Sequence, residues 1–174
     1  MKSYLEIKVP ISHDEYWFEE LRDLLEGVDI KWQQGYYHIT MAFLDITPEG
    51  VNLIPGLAEI LDEAKAPSIT FDKLDAFSSG SHRQVVHLTT TNAPEEFLTL
   101  VENIRRYFKR KGCVIQSDFR LHVTLGRVHD PKINVHKLLD IIDQAQMPTF
   151  TMKLTEVEYR IFRGKTLGKW KLLS

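Results

Sequence analysis

Residues 38–41 read HITM and residues 122–125 read HVTL, each inside an apolar run. The repeat constrains the fold because it recurs within a repeated order of elements. Segment 2–9 alternates as a half-buried strand, with Leu5, Ile7 and Val9 on one face. Ser12 with Glu15 predicts a capping box opening a helix that runs to Gly27. Segment 36–44 reads as a strand, 52–65 as a helix and 68–77 as a strand. After the turn SSGSH (78–82), segment 83–91 reads as a strand. A second capping box, Asn92 with Glu95, opens a helix to Gly112. Segment 119–128 is then a strand, 134–146 a helix, and 149–173 two strands turning near Gly164. HITM thus occupies the second strand of one half and HVTL the second strand of the other. Two such lobes related by a pseudo-two-fold axis bring equivalent strands to one shared cleft.

Strand parity gives each motif its chemistry. His38 and Thr40 share a face opposite Ile39, Met41 and Phe43; His122 and Thr124 share a face opposite Val123 and Leu125. Each strand therefore buries its apolar side and offers one imidazole and one hydroxyl. Two imidazoles facing each other can serve as base and acid in one step, because their pKa lies near neutrality. Two hydroxyls can hold the non-bridging oxygens of a phosphodiester as charge builds. His-x-Thr alone is a weak signal: this composition gives about half of one match by chance. The chain has three, because His87-Leu88-Thr89 also fits. His87 lies outside the equivalent strands, and reads either as a strand histidine among cross-strand threonines or as a further groove contact.

The two blocks resemble the two-histidine (2H) phosphoesterase superfamily, in particular its 2′-5′ RNA ligase / RNA 2′,3′-cyclic phosphodiesterase branch. KWQQGYYHITMAFLD (31–45) follows that family's first block and FRLHVTLGRV (119–128) its second, with the histidines 84 positions apart. The resemblance implies an α+β fold: a bilobal, pseudo-two-fold duplicated unit with two antiparallel sheets lining a central groove and helices outside. One domain over 1–174 is expected, with lobes at about 1–78 and 83–174 and room for an exchange of end strands. The implied activity is metal-independent hydrolysis of 2′,3′-cyclic phosphates, at RNA ends or on small nucleotides, to 2′-phosphates; 2′-5′ RNA ligation could accompany it. His122 would be the general base, His38 the general acid, and Thr40 and Thr124 the phosphate ligands. The residues alone leave acid and base symmetric. Asp45 departs from the family's glycine after Phe-Leu.

Arg127 lies on the wrong face by simple parity; it reaches the phosphate if the strand bulges at Gly126, and otherwise serves as a structural ion-pair partner. Tyr4 could stack a base at the RNA end, or be an exposed strand tyrosine. Trp32, Tyr36 and Tyr37 read as packing residues. No histidine–carboxylate spacing matches a known metal site, and no glycine-rich phosphate loop is present, so no metal or other cofactor is expected. The net charge of −2 disfavours a binder of long duplexes and leaves an RNA end or small nucleotide as partner. Two basic clusters, at 105–111 and 160–171, are solvated faces or rims of a site. No apolar stretch approaches membrane-spanning length, the N-terminus reads as a strand rather than a signal peptide, and one cysteine, Cys113, points to a reducing cytoplasm. A monomer is expected. Two other functions share the same residues: an RNA- or nucleotide-binding protein with little activity, and a structural domain whose strand histidines only pack.

Overall fold

The computed structural model describes all 174 residues. In chain order its elements are β1 (Ser3–Val9), α1 (Tyr16–Leu24), β2 (Ile30–Trp32), β3 (Tyr37–Ile46), α2 (Ile54–Leu61), β4 (Ser68–Phe71), β5 (Lys73–Ser78) and β6 (Gln84–Thr89). There follow α3 (Glu95–Arg110), β7 (Val114–Ile115), β8 (Val123–Val128), α4 (Val135–Ile142), β9 (Phe150–Lys153), β10 (Glu156–Ile161) and β11 (Thr166–Lys171). The architecture is α+β, and every strand pair named below is antiparallel.

The main sheet runs β11-β10-β1-β3-β8-β6-β5, with β7 added to β3 and β2 to β8; β4 and β9 form a separate two-stranded sheet. Its two halves meet at β3 and β8 through one cross-strand pair, Ile39 with Val123. Pseudo-two-fold symmetry is visible about that pair. β3 carries β1 along its length and β7 beyond the seam, while β8 carries β6 along its length and β2 beyond it. The tail strands β10 and β11 lie beside β1, so the last strands of the chain complete the first half. The SSGSH turn is a hairpin within the second half, because β5 pairs with β6.

One face of the sheet carries the apolar positions read from the alternation, including Leu5, Ile7, Val9, Ile39, Val86, Leu88 and Val123, all at most 1% exposed. Against it pack Phe18 and Leu21 of α1, Leu57 of α2, Val101, Ile104 and Phe108 of α3, and Leu138 of α4. Burial of these side chains drives the assembly; each large one contributes about 1.5–3 kcal/mol of transfer free energy. The other face is the groove.

Each half carries a β-bulge one residue after its motif threonine. Glu6 pairs with Thr40 and Leu5 with Ala42, so Met41 is the extra residue on β3. His87 pairs with Thr124 and Val86 with Gly126, so Leu125 is extra on β8. Met41 and Ala42, and likewise Leu125 and Gly126, are consecutive buried residues. The alternation is thereby shifted, and Phe43 and Arg127 fall on the groove side. On β3 the freed Met41 carbonyl accepts a hydrogen bond from Arg105 Nη1 at 3.1 Å. Arg105 belongs to the basic cluster at 105–111 but turns inward, and its neighbour Arg106 pairs with Glu102 at 2.8 Å.

Several local expectations are corrected. Segment 68–77 is two strands, broken at Asp72, whose carboxylate accepts from the Thr91 amide and hydroxyl at 2.8 and 2.6 Å. Neither capping box forms: α1 starts after Glu15 with no side-chain cap, and Ser12 Oγ accepts from the Asp14 amide instead. Helix α3 starts after Pro94, also uncapped, whereas Asn134 does cap α4 through the Lys137 amide at 2.9 Å. The tail holds three strands, because β9 leaves to pair with β4. His122 lies one residue ahead of β8 rather than within it. No helix is long and apolar enough to cross a membrane.

The second bulge requires Gly126: a Cβ there would lie 2.7 Å from Ile30 Cδ1 and 2.9 Å from Trp32 Cε3. Gly126→Ala is expected to lower stability by about 1–3 kcal/mol in urea unfolding. An unchanged midpoint would show that β2 yields without cost.

Candidate active site

The seam pair fixes the motif residues. Ile39 and Val123 point into the core, so their neighbours His38, Thr40, His122 and Thr124 face the groove. Antiparallel register directs His38 toward Thr124 and Thr40 toward His122. Thr40 and His122 accordingly line one cavity, of about 570 Å³, with Phe43, Phe77, Arg105 and Arg120. A larger cleft of about 670 Å³ opens among the helices, between α2 and α3, and contains no motif residue. Its charges are mixed, with Glu59, Glu63 and Glu96 set among Lys65, Arg106 and Arg110. The groove is the functional candidate, because it, and not the cleft, holds motif residues.

The two imidazoles are held differently. His122 Nδ1 lies 2.8 Å from the Arg120 carbonyl, which fixes the Nδ1–H tautomer and leaves Nε2 as the free nitrogen. Its ring meets Phe77 edge-on at 5.2 Å and His87 at 5.5 Å, while the Arg120 guanidinium covers the other aromatic neighbour, Phe77, at 4.1 Å. Burial lowers the His122 pKa; the Arg120 carbonyl opposes that shift, and the Arg120 and Arg127 charges reinforce it. His38 has Nδ1 buried 3.5 Å from Glu6 Oε2. Burial lowers its pKa to about 4, with further lowering from His122, Arg127, Arg160 and Lys8. Both rings are therefore predominantly neutral at pH 7.

Arg127 is exposed on the groove side of β8 and acts electrostatically on both His38 and His122. The bulge resolves its parity in favour of the groove. His87 is 4% exposed, with Nδ1 3.3 Å from the Val85 carbonyl and its ring 4.9 Å from Phe77. Burial lowers its pKa to about 4 as well. Tyr4 stacks on Phe43 at 6.0 Å and lies 6.4 Å from His38, so it forms an aromatic wall with Phe43 rather than standing free in solvent.

Tyr36, expected to pack, and Arg160, from the basic cluster at 160–171, complete the first half. The Tyr36 hydroxyl donates to Glu6 Oε1 at 2.5 Å and accepts from Arg160 Nη1 at 2.6 Å. Lys8 lies over the Tyr36 ring at 4.6 Å and pairs with Glu158 at 3.0 Å. Alternation in β1 places Tyr4, Glu6 and Lys8 on one face, which is the available signal for Glu6. Nothing local signals that Tyr36 and Arg160, from distant segments, roof it. Trp32 and Tyr37 are packing residues: Trp32 meets Phe18 at 5.6 Å and Tyr37 is buried.

The chain matches the model of the 2′-5′ RNA ligase superfamily over residues 10–165. It belongs to that superfamily. Solved structures with this fold include Escherichia coli LigT complexed with 3′-AMP (20% identical, TM-score 0.68), covering 99% of this chain and 98% of that one. Kluyveromyces marxianus Usb1 is 11% identical at TM-score 0.64, with 98% of each chain covered. A phosphoesterase is 19% identical at TM-score 0.59, with 99% of each covered. No curated protein sequence matches significantly. Membership supports phosphoesterase-type activity on RNA or nucleotides. The groove brings two imidazoles and two hydroxyls to one seam.

The depressed imidazoles have a pH consequence. Between about pH 6.5 and 4 the unfolded chain protonates His87 while the folded chain resists, so stability is lost as pH falls through that window. His87→Gln is expected to flatten the decline of urea-unfolding free energy there. A slope identical to that of the unsubstituted protein would mean that His87 titrates alike folded and unfolded.

Proposed function

We propose that the protein is a metal-independent cyclic phosphodiesterase that opens 2′,3′-cyclic phosphates, at RNA ends or on small nucleotides, to 2′-phosphates. The observation that carries this reading is the pairing of Ile39 with Val123, which turns both His-x-Thr motifs into one groove. His122, neutral with Nε2 free, takes a proton from water as its oxygen attacks phosphorus. The bond from phosphorus to O3′ breaks, and His38 delivers a proton to O3′. Thr40 and Thr124 donate hydrogen bonds to the non-bridging oxygens, and Arg127 supplies positive charge beside them. A docked phosphodiester anion favours the charged form of a nearby imidazole, which loads the acid for the step.

Tyr4, with Phe43, offers a stacking surface for a nucleobase. His87 borders the site through its contacts with Phe77 and His122 and acts as a hydrogen-bonding lining residue. Attack by an RNA 5′-hydroxyl in place of water would make a 2′-5′ linkage by the same proton transfers. One chain supplies both halves of the groove, so a monomer suffices. The buried, unpaired Cys113 fits a reducing compartment such as the cytoplasm.

The test is hydrolysis of 2′,3′-cyclic AMP, and of an RNA oligomer with the same end, in the presence of a chelator. Turnover to the 2′-phosphate is expected, falling by roughly 10²-fold or more in His38→Ala and in His122→Ala. Thr40→Ala and Thr124→Ala should each cost about ten-fold. Full activity in either histidine variant would contradict the acid–base pair. Saturable binding of the product with no turnover would instead support a nucleotide-binding protein.

A further inference from the structure

The pseudo-two-fold relation breaks at one position beside the catalytic candidates. The residue paired with the motif threonine is Glu6 in the first half and His87 in the second. Glu6 is fully buried, at 0% exposure. Its Oε1 is fixed by the Tyr36 hydroxyl, which is itself fixed by Arg160. Its Oε2 has no hydrogen bond, and neither does the buried Nδ1 of His38, 3.5 Å away. Orphaned buried polar atoms are costly, and here the two face each other across a gap that a ring shift of about half an ångström would close. Catalytic hydrogen bonds commonly tighten when substrate binds. His122 has no carboxylate behind it, only the Arg120 carbonyl.

We propose that Glu6 is a positioning residue for His38: its carboxylate accepts the Nδ1 proton, turns Nε2 toward the phosphate, and makes the first-half histidine the general acid. The proposal rests on the phosphodiesterase reading above and supplies the asymmetry that the duplicated motifs lack. With a phosphodiester docked, the His38 ring lies between two anions and takes up a proton at Nε2. His122 is flanked by the cations Arg120 and Arg127, which oppose its protonation, so it remains the base. When P–O3′ breaks, the Nε2 proton of His38 passes to O3′ while His122 holds the proton taken from water.

Other ionisable groups surround the pair and act in both directions. Tyr4 and Lys8 approach from β1, and Tyr36 from the lead into β3. Glu158 and Arg160 approach from β10, and His122 and Arg127 from β8 and its lead-in. Lys8, Arg160 and Arg127 disfavour a charged His38, and Lys8 and Arg160 favour a charged Glu6. Tyr36, by donating to Oε1, also favours ionised Glu6. Burial is the larger influence on Glu6 and, with Glu158, raises its pKa above the ordinary carboxylate value; Tyr36, Arg160 and Lys8 oppose that shift, and Oε2 accepts the Nδ1 proton in the ionised form.

Glu6→Gln keeps the shape and the Tyr36 contact but removes the charge. Its KM for 2′,3′-cyclic AMP is expected to stay within about two-fold while kcat falls by about ten-fold. The basic limb of the pH–rate profile, set by loss of the acid's proton, should move down by about one unit. Glu6→Asp, which keeps a carboxylate, should return the limb toward its original place. Nitrogen NMR of the imidazoles gives a readout independent of turnover. In the free protein His38 should be the Nδ1–H tautomer. With adenosine 2′-monophosphate bound, Glu6→Gln should lower the His38 titration by about one unit and leave His122 in place. A fall in kcat with an unmoved basic limb would reduce Glu6 to a structural role and overturn the proposal. An Nε2–H tautomer for free His38 would overturn it as well. If the unsubstituted protein fails to open the cyclic phosphate, the phosphodiesterase reading falls, and the tautomer measurement still decides whether Glu6 holds the ring.

Discussion

One cross-strand pair, Ile39 with Val123, sets the register between the two motif strands β3 and β8, and the site depends on it; β2 on β8 and β7 on β3 brace the seam on either side. Because both side chains are buried at 0% exposure, the residues on either side of each must face the other way. Those residues are the two histidines and the two threonines. A slip of one residue at this seam would send the imidazoles into the core and the aliphatic side chains into the groove. Hydrophobic burial of the seam and presentation of the catalytic groups are thus the same constraint. The helices lie on the buried face, which leaves the groove face open to substrate.

The bulges extend that logic beyond the motifs. One extra residue after each threonine turns two consecutive residues inward and brings the third to the groove. The first half thereby presents Phe43 and the second Arg127, an aromatic surface and a cation at equivalent places. Duplication supplies the geometry, and divergence at equivalent positions supplies distinct functions. The same divergence places Glu6 behind one motif and His87 behind the other. Burying a carboxylate, a guanidinium and a tyrosine hydroxyl together is favourable only when their hydrogen bonds are made. The Arg160–Tyr36–Glu6 chain makes most of them and leaves Arg160 Nε and one Glu6 carboxylate oxygen, the one toward His38, without a hydrogen bond.

Much of this was legible in the sequence because it rests on short-range periodicity. Strand alternation in 2–9 and 36–44 placed the core, and the repeated element order placed the motifs in equivalent strands. Arg127 marks the boundary of such reasoning: parity put it on the wrong face, and a glycine before it was the only hint of the bulge. The capping boxes failed because Ser12 and Asn92 lie too far ahead of helices that begin at Tyr16 and Glu95. Asp72 broke a strand through contacts with Thr91, a partner that no local pattern reveals. Tyr36 read as packing and Arg160 as part of a solvated face or a site rim, because their meeting over Glu6 depends on β10 returning to β1. Long-range return of the tail is what turns a surface-looking strand face into a buried polar network.

The most direct measurement is a crystal structure with adenosine 2′-monophosphate bound. The account predicts its phosphate at the seam, with oxygens within about 3 Å of the Thr40 and Thr124 hydroxyls and of both imidazoles. A phosphate held by one half alone, or lodged in the outer cleft between α2 and α3, would contradict it.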